Sequence, residues 1–335
     1  MTLTPIELLR QNAPAIRPVI SLCEGSDPRV VAGALAAHKA DLADVILVGP
    51  QAEVEAALKE QGAAPSPGVG VHDPMNSDLT EDFAQRFFEL RQHKGVDLTK
   101  ARAAVESAPV YAAMLVRSGR ATGTVGGAVH TTGDIVRAAI QVIGMAPDAG
   151  MVSSFFLMYP PENAQPGARA MLYSDCGLVI NPSASELSKI AIASAASAKT
   201  LLQVEPKIAM LSFSTKGSAK HPDVDKVIEA TDTVCQTAPD LSVDGELQFD
   251  AAFVPSVGDR KSPGSSVAGQ ANVMIFPNLD AGNIGYKITQ RLGGYTAIGP
   301  VLQGLAQPAN DLSRGCSVED VTQMIAVTAL QASKT

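Results

Sequence analysis

The feature that most constrains the fold is an alternation of apolar runs, turns and helices that begins near the start of the chain. Residues 17–22 (RPVISL) form a short β-rich run, and a second apolar run covers 45–48. Between them, Asp27 followed by Pro28 is typical of an N-cap and the first residue of a helix, which we expect to end near Lys39. Strands that alternate with helices in this way form a largely parallel sheet, so the sequence predicts an α/β fold.

The same alternation continues along the chain. Its strand candidates are 151–158, 207–214 and 273–276. Its helix candidates are 82–93, 185–202 and 318–331.

The length and charge of the chain limit what it can bind. Its 335 residues, 46% of them apolar, are enough for two domains of roughly 150 residues each. The 26 basic and 34 acidic side chains give a net charge of −8, which disfavours general binding to nucleic acid or to an anionic membrane. An anionic small molecule would need locally concentrated basic residues, so single arginines and lysines become informative.

The cysteines and the N-terminal sequence indicate the cellular compartment. Cys23, Cys176, Cys235 and Cys316 are widely spaced and form no CxxC pair, which disfavours a structural zinc site. The first residues contain no apolar segment of a secretory signal, and no apolar run approaches the roughly 20 residues that cross a bilayer. We therefore expect a cytoplasmic protein with free thiols and no metal.

Several common enzyme motifs are absent from the sequence. There is no GxxxxGK[ST] phosphate loop, and no GxGxxG follows the first strand. HExxH and GxSxG are also missing. Kinase-like ATPases and serine hydrolases therefore lack their local signatures here.

Four polar segments are candidates for anion binding. They are 212–220 (SFSTKGSAK), 281–291 (AGNIGYKITQR), 299–304 (GPVLQG) and 310–320 (NDLSRGCSVED). Each follows an apolar run and precedes a helix-like pattern, so we expect loops that present backbone N–H groups and the positive end of a helix dipole. Ordinary turns and caps also explain single residues, since Ser317 and Asp320 have the spacing of a capping box.

Seven segments in order carry a more specific resemblance. They are 24–30 (EGSDPRV), 89–95 (ELRQHKG), 131–143 (TTGDIVRAAIQVI), 209–220 (AMLSFSTKGSAK), 244–252 (DGELQFDAA), 268–292 (AGQANVMIFPNLDAGNIGYKITQRL) and 299–320 (GPVLQGLAQPANDLSRGCSVED). With them the chain resembles the phosphate acetyltransferase/phosphate butyryltransferase family over essentially its whole length. The GNIGYK and NDLSRGCS stretches are more similar to the acetyl branch.

This resemblance implies an architecture and a reaction. The fold would be α/β, with two α/β/α three-layer domains, largely parallel sheets and an interdomain cleft, as in the isocitrate dehydrogenase-like superfamily. Domain 1 would comprise 1–147 plus 299–335, domain 2 would comprise 148–298, and the chain would form a homodimer. The reaction would be acetyl-CoA + phosphate ⇌ acetyl phosphate + CoA, by direct attack in a ternary complex. It would need no cofactor, because coenzyme A is a substrate.

The resemblance also implies catalytic roles within the SRGCS motif and the aspartate that follows it. Asp320 would take the proton of the attacking thiol, and Ser313 would donate a hydrogen bond to the thiol or the developing oxyanion. Arg314 would hold phosphate with its planar set of donors. Cys316 has no required role in a ternary-complex mechanism, and we expect it to be buried.

The substrate-binding residues follow from family position and from loop position. Arg91 and Arg137 match functional arginines of the family and would counter the phosphate charge. Their alternative roles are a helix C-terminal cation and an ordinary surface charge. Loop position and charge add Thr131, Thr132, Lys287 and Arg291.

Other functions remain open at this stage. A phosphate butyryltransferase would differ only in pocket volume, and one methylene changes selectivity by about 1–3 kcal/mol. A catalytically silent copy that binds acetyl-CoA and controls an oligomer is disfavoured, because Ser313, Arg314 and Asp320 are all present. A dehydrogenase would follow from the fold alone and lacks the nucleotide fingerprint.

Overall fold

The structure, a computed structural model, describes residues 2–11, 17–165 and 167–333. The strands in chain order are β1 (Val19–Leu22), β2 (Asp44–Val48), β3 (Val69–His72), β4 (Gly123–Gly126), β5 (Ser153–Tyr159), β6 (Met171–Ser174), β7 (Lys207–Leu211), β8 (Ser242–Leu247), β9 (Val273–Ile275), β10 (Thr296–Gln303) and β11 (Ala309–Asp311). The α-helices are α1 (Pro5–Gln11), α2 (Pro28–Lys39), α3 (Gln51–Glu60), α4 (Thr80–Arg91), α5 (Leu98–Val105), α6 (Ala108–Arg117), α7 (Thr132–Val142), α8 (Ala184–Leu201), α9 (Pro222–Thr237), α10 (Phe249–Phe253), α11 (Pro255–Lys261), α12 (Leu279–Arg291) and α13 (Val318–Ala332). A 3₁₀ turn, Gln92–Lys94, follows α4.

The chain divides into two compact units. The first unit comprises Pro5–Pro147 and Leu305–Thr335, and the second comprises Met1–Thr4 and Asp148–Gly304. The chain therefore leaves the first unit, forms most of the second and returns to the first. Segment 299–304 belongs to the second unit, where β10 pairs with β5.

The first unit is built on a fully parallel sheet of five strands in the order β11-β4-β1-β2-β3. Leu22 pairs with Leu47 on one side and with Val125 on the other. Asp311 pairs with Gly126. Because all strands run the same way, the carboxyl ends of β1, β4 and β11 lie side by side at one edge, where open α/β sheets bind ligands.

The second unit contains a mixed sheet of six strands in the order β10-β5-β6-β9-β7-β8. The pairs β10–β5 and β5–β6 are antiparallel, and the pairs among β6, β9, β7 and β8 are parallel. Helices lie on both faces of the sheets, as when α8 packs against β6 and β9. The α/β class expected from the sequence is confirmed.

Two helix starts follow from local chemistry as the sequence predicts. The Asp27 side chain accepts from the backbone N–H groups of Arg29 and Val30, and α2 begins at Pro28. Ser317 and Asp320 form both reciprocal hydrogen bonds of a capping box at the start of α13.

Two of the four segments expected to be loops are not loops. Residues 281–291 lie inside α12, whose N-cap is Asn278, and 299–304 fall mostly in β10. The glycines of α12 serve close packing, because a Cβ on Gly282 would lie 2.2 Å from the Asp175 carbonyl oxygen. The expected position of Lys287 and Arg291 on a loop was therefore wrong, and both lie on this helix.

Candidate active site

The predicted site residues are divided between the two units. The first unit contains Arg91, Thr131, Thr132, Arg137, Ser313, Arg314 and Asp320. The second contains Lys287 and Arg291. In the first unit, Thr131, Ser313 and Arg314 lie in the loops after β4 and β11, at the carboxyl edge of the sheet, and the other four residues lie on helices.

Residues 312–317 form the turn that joins β11 to α13. Ser313 and Arg314 are exposed, and the Ser313 hydroxyl accepts a 3.2 Å hydrogen bond from the Gly315 N–H. Cys316 is only 5% exposed, and burial raises the pKa of its thiol. The turn therefore presents a hydroxyl and a guanidinium outward and keeps its thiol inside.

Asp320 caps its own helix and remains exposed. Its Oδ2 accepts from the Ser317 N–H at 2.8 Å and from the Ser317 hydroxyl at 2.9 Å. No hydrogen bond within the described ranges engages Oδ1. One oxygen thus fixes the carboxylate while the other is available to a ligand.

Arg29 links the two loops that carry the predicted residues. Its Nη1 donates to the Arg314 carbonyl at 2.7 Å, and its Nη2 donates to the Ala128 carbonyl at 2.9 Å. Asp27 holds the guanidinium through Nε at 3.0 Å and Nη2 at 2.8 Å. Burial opposes ionisation of Asp27, but the hydrogen bonds from Arg29 lower its pKa below the ordinary value. One guanidinium therefore ties the loop after β4 to the loop after β11.

A buried carboxylate, Glu24, organises the loop after β4. Its Oε1 accepts from the Gly127 N–H at 2.8 Å, the His130 N–H at 3.1 Å and the His130 Nδ1 at 2.9 Å. Burial opposes ionisation of Glu24, but hydrogen bonds from His130 and Gly127 lower its pKa. The same side-chain hydrogen bond raises the pKa of His130 above its ordinary value.

A second buried carboxyl group, Asp311, lies at the end of β11. Thr132 Oγ1 donates to its Oδ2 at 2.6 Å, and Oδ1 has no hydrogen-bond partner among the described residues. Burial raises the pKa of Asp311 to about 7. Gly127, at φ +107°, accommodates it, because a Cβ there would lie 2.2 Å from Oδ1.

The other predicted residues of the first unit lie on or before helices. Thr131 is the N-cap of α7, and its hydroxyl contacts the Asp134 carboxylate at 2.7 Å. Arg137 is 63% exposed and pairs with Asp134 at 2.9 Å. Arg91 is the partly buried last residue of α4, which packs against α7. The two arginines therefore lie on neighbouring helices.

The basic residues of the second unit have different surroundings. Lys216 is paired with Asp244, and the Glu246 carboxylate accepts from Ser214 Oγ and the Gly217 N–H, both at 2.8 Å. These contacts stabilise the loop 212–220 internally. Lys287 and Arg291 are exposed on α12, and the Lys287 Nζ lies 5.1 Å from the centre of the Tyr286 ring.

The described ranges contain no group of three or more His, Cys, Asp or Glu side chains placed to hold a metal ion. They also contain no helix whose length and apolar character would let it span a membrane.

The comparisons with known proteins agree over the whole chain. A family model described as phosphate acetyl/butaryl transferase matches residues 5–329. The chain belongs to this family. It is 46% identical over 327 residues to a phosphate acetyltransferase of Paracoccus denitrificans, covering 98% of this chain and 99% of the relative.

This phosphate acetyl/butaryl transferase family member is also similar to solved structures. A phosphotransacetylase of Streptococcus pyogenes superposes with a TM-score of 0.91 at 43% identity, covering 99% of this chain and 98% of that one. A 4-hydroxythreonine-4-phosphate dehydrogenase of Klebsiella pneumoniae gives 0.52 at 12% identity, covering 95% and 99%, and shares the fold alone.

Four charged residues around the predicted site of this family member were not predicted from the sequence. Glu24, Arg29, His130 and Asp311 all fall in or beside the seven quoted segments. Within 24–30, the only structural role predicted from the sequence was that of Asp27 as a helix N-cap. The signal in the sequence is position, because Glu24, His130 and Asp311 lie at or within a few residues of a strand's carboxyl end, where a parallel sheet places ligand-binding groups.

Proposed function

We propose that this chain is a phosphate acetyltransferase, which reversibly transfers the acetyl group between acetyl-CoA and inorganic phosphate. The observation that carries this proposal is 46% identity to a phosphate acetyltransferase over 98% of the chain. The exposed Ser313 and Arg314 and the available oxygen of Asp320 suit the reaction. They place a hydroxyl, a cation and a carboxylate on one turn and the helix that follows it.

The proposed mechanism is direct attack within a ternary complex. A free thiol is mostly protonated at neutral pH, since its ordinary pKa is about 8.5, so a positioned base accelerates attack. Asp320 Oδ1 takes the thiol proton, and the sulfur attacks the acetyl carbon. Ser313 donates a hydrogen bond to the developing oxyanion, and Arg314 binds the phosphate oxygens.

The remaining predicted residues are proposed to bind the substrates. Arg91 and Arg137 lie on packed neighbouring helices and supply positive charge. Thr131 and Thr132 position the start of α7, whose N-terminal dipole favours an anion. Lys287 and Arg291 contribute from exposed positions on α12.

The first test is release of free thiol from acetyl-CoA by the purified protein, with and without inorganic phosphate, in metal-free buffer. Phosphate-dependent release supports the proposal, and butyryl-CoA in the same assay measures the acyl range. Tight acetyl-CoA binding without release would favour a silent binding domain. Release without phosphate would indicate hydrolysis.

Arg314→Ala should weaken phosphate binding. Losing a hydrogen-bonded guanidinium costs about 1.5–3 kcal/mol, so KM for phosphate should rise roughly 10–100-fold. The loop itself should persist, because Arg29 bonds to the backbone carbonyl of Arg314 and not to its side chain. Initial rates against phosphate concentration check this, with Arg314→Lys as an intermediate case that keeps the charge without the fork. An unchanged KM in both variants would remove the phosphate-binding role.

We also propose a homodimer, and one helix face supports it. Ile284, Ile288 and Leu292 are 58%, 53% and 85% exposed and recur every four residues along α12 and its C-cap, Leu292. Side chains at that spacing share one helix face, and a second copy of the chain would cover it.

Leu292→Glu should disrupt this dimer. A carboxylate buried without a partner costs several kcal/mol, so the dimer dissociation constant should rise at least about 100-fold. Light scattering after size exclusion at micromolar protein checks the oligomeric state. Leu98→Glu, at a 51% exposed leucine of the first unit, is the matched control. A Leu292→Glu variant that elutes with the same mass as the parent would remove this face from the interface.

Further parts of the proposal concern organisation and location. The two compact units are proposed to be the two domains. The reaction is proposed to need no metal or cofactor, since coenzyme A enters as a substrate. Cytoplasmic location is supported by four cysteines without disulfides, as expected where thiols are kept reduced.

A further inference from the structure

The leaving group of the proposed reaction needs a proton. When a thiolate attacks the acetyl carbon of acetyl phosphate, the C–S bond forms and the bond from carbon to the phosphate oxygen breaks. The departing group is a phosphate trianion unless a proton reaches that oxygen. A trianion is far more basic than hydrogen phosphate and leaves poorly, so a positioned acid accelerates the step. Asp320 receives the thiol proton, and a separate acid beside the phosphate would protonate the leaving oxygen without a transfer from Asp320 between the two steps.

Hydrogen bonds on both sides of His130 connect its segment to β11 and to the 312–317 turn that follows β11. Two residues before it, the Ala128 carbonyl bonds to Arg29, which also bonds to the Arg314 carbonyl. Two residues after it, Thr132 bonds to Asp311 at 2.6 Å. The chain on either side of His130 is therefore anchored to β11 and to the turn that carries Arg314.

Glu24 fixes the orientation of this imidazole. An ionised carboxylate only accepts, so the His130 Nδ1, 2.9 Å from Glu24 Oε1, carries a proton. Glu24 is 4% exposed, whereas the His130 side chain is 34% exposed. No hydrogen bond in the described part of the chain engages Nε2, which leaves it available to a substrate.

We propose that His130, oriented by Glu24, is the general acid that protonates the departing phosphate oxygen. In the reverse direction it is the general base that takes a proton from hydrogen phosphate. This role rests on the proposed acetyl transfer and adds a catalytic residue to it. Glu24, which acts through His130, is a positioning residue.

The charges around His130 favour its acid form. Hydrogen bonding to Glu24 raises the pKa of the imidazole, burial opposes this, and Asp134 raises it further. Arg29 bonds to the carbonyl groups of Ala128 and Arg314, and Asp311 accepts from Thr132, so these charged or titratable groups adjoin the segment around His130. The imidazolium therefore persists to a higher pH than that of a free histidine.

The protons of one turnover balance. The thiol proton passes to Asp320, and the Nε2 proton of His130 passes to phosphate, which leaves as hydrogen phosphate. Asp320 then loses its proton to solvent and His130 regains one. No oxidant, reductant or metal is required.

The test compares pH–rate profiles for acetyl phosphate plus CoA in the wild type, His130→Asn and Glu24→Gln. The wild-type kcat should fall as pH rises through the raised pKa of His130. His130→Asn should lose about 100-fold or more in kcat, together with that limb, because general acid catalysis contributes about 10²–10⁴. Glu24→Gln should move the limb to lower pH. His221→Asn is the control, because asparagine can also cap α9, which His221 caps.

The outcomes separate this inference from the proposed function. A wild type without phosphate-dependent acetyl transfer would overturn both. An active wild type with His130→Asn within twofold of it, or with an unchanged alkaline limb, would overturn the general acid alone. Recovery of His130→Ala activity by added imidazole would support the acid, since a purely structural histidine is not replaced in this way.

Discussion

Asp320→Asn should lower kcat about 10²–10⁴-fold in both directions of acetyl transfer. The carboxylate is proposed to take the thiol proton, and a carboxamide of the same size cannot do so. Folding should change little, because asparagine keeps an oxygen that can accept from Ser317, as Oδ2 of Asp320 does now. Initial rates at saturating substrates and thermal unfolding by circular dichroism measure the two effects separately.

The matched control for this substitution is Glu319→Gln. Glu319 is the exposed neighbour of Asp320 in the first turn of α13 and carries the same charge near the same helix end. It should keep near-parental kcat, which distinguishes proton transfer from a general loss of negative charge. If Asp320→Asn retained full activity, the base would have to be another group, and the capping box would fully explain this aspartate.

Local elements of the fold were predictable because short-range chemistry determines them. Asp27 and Pro28 specify the start of α2 through contacts within three residues. The prediction of a loop at 281–291 rested on its composition of glycine, polar and basic residues, whereas in the structure the segment is helical and Gly282 allows close contact with the Asp175 backbone. That contact spans more than 100 positions and leaves no local pattern.

The part of the site that lies within a short stretch of sequence was also predictable. Ser313, Arg314 and Asp320 lie close together in sequence and could be identified as one motif. The hydrogen bond between Glu24 and His130 joins residues 106 positions apart, and that between Thr132 and Asp311 joins residues 179 apart. Both depend on the strand order β11-β4-β1, which brings three carboxyl ends together. Local sequence patterns do not show this order, because they identify strands but not their neighbours in the sheet.

Asp311→Asn should make the protein more stable relative to the wild type as pH rises. The folded-state pKa of Asp311 is about 7, because the side chain is buried and lies near Glu24, whereas an unfolded aspartate titrates near 3.9. Below about pH 4 both states are protonated and the group has no effect. Above that pH the unfolded chain ionises first, so the wild type loses stability until the folded group also ionises near pH 7.

The size of this effect follows from the two pKa values. Between pH 5 and pH 8, the unfolding free energy of Asp311→Asn minus that of the wild type should increase by about 2–3 kcal/mol. The amide remains neutral and can still accept from Thr132. Urea unfolding followed by circular dichroism at several pH values measures the difference, with Asp232→Asn, at an exposed position of α9, as the control. A difference that stays constant across this range would mean that Asp311 is ionised in the folded protein, and its contact with Thr132 would then join a hydroxyl to a carboxylate.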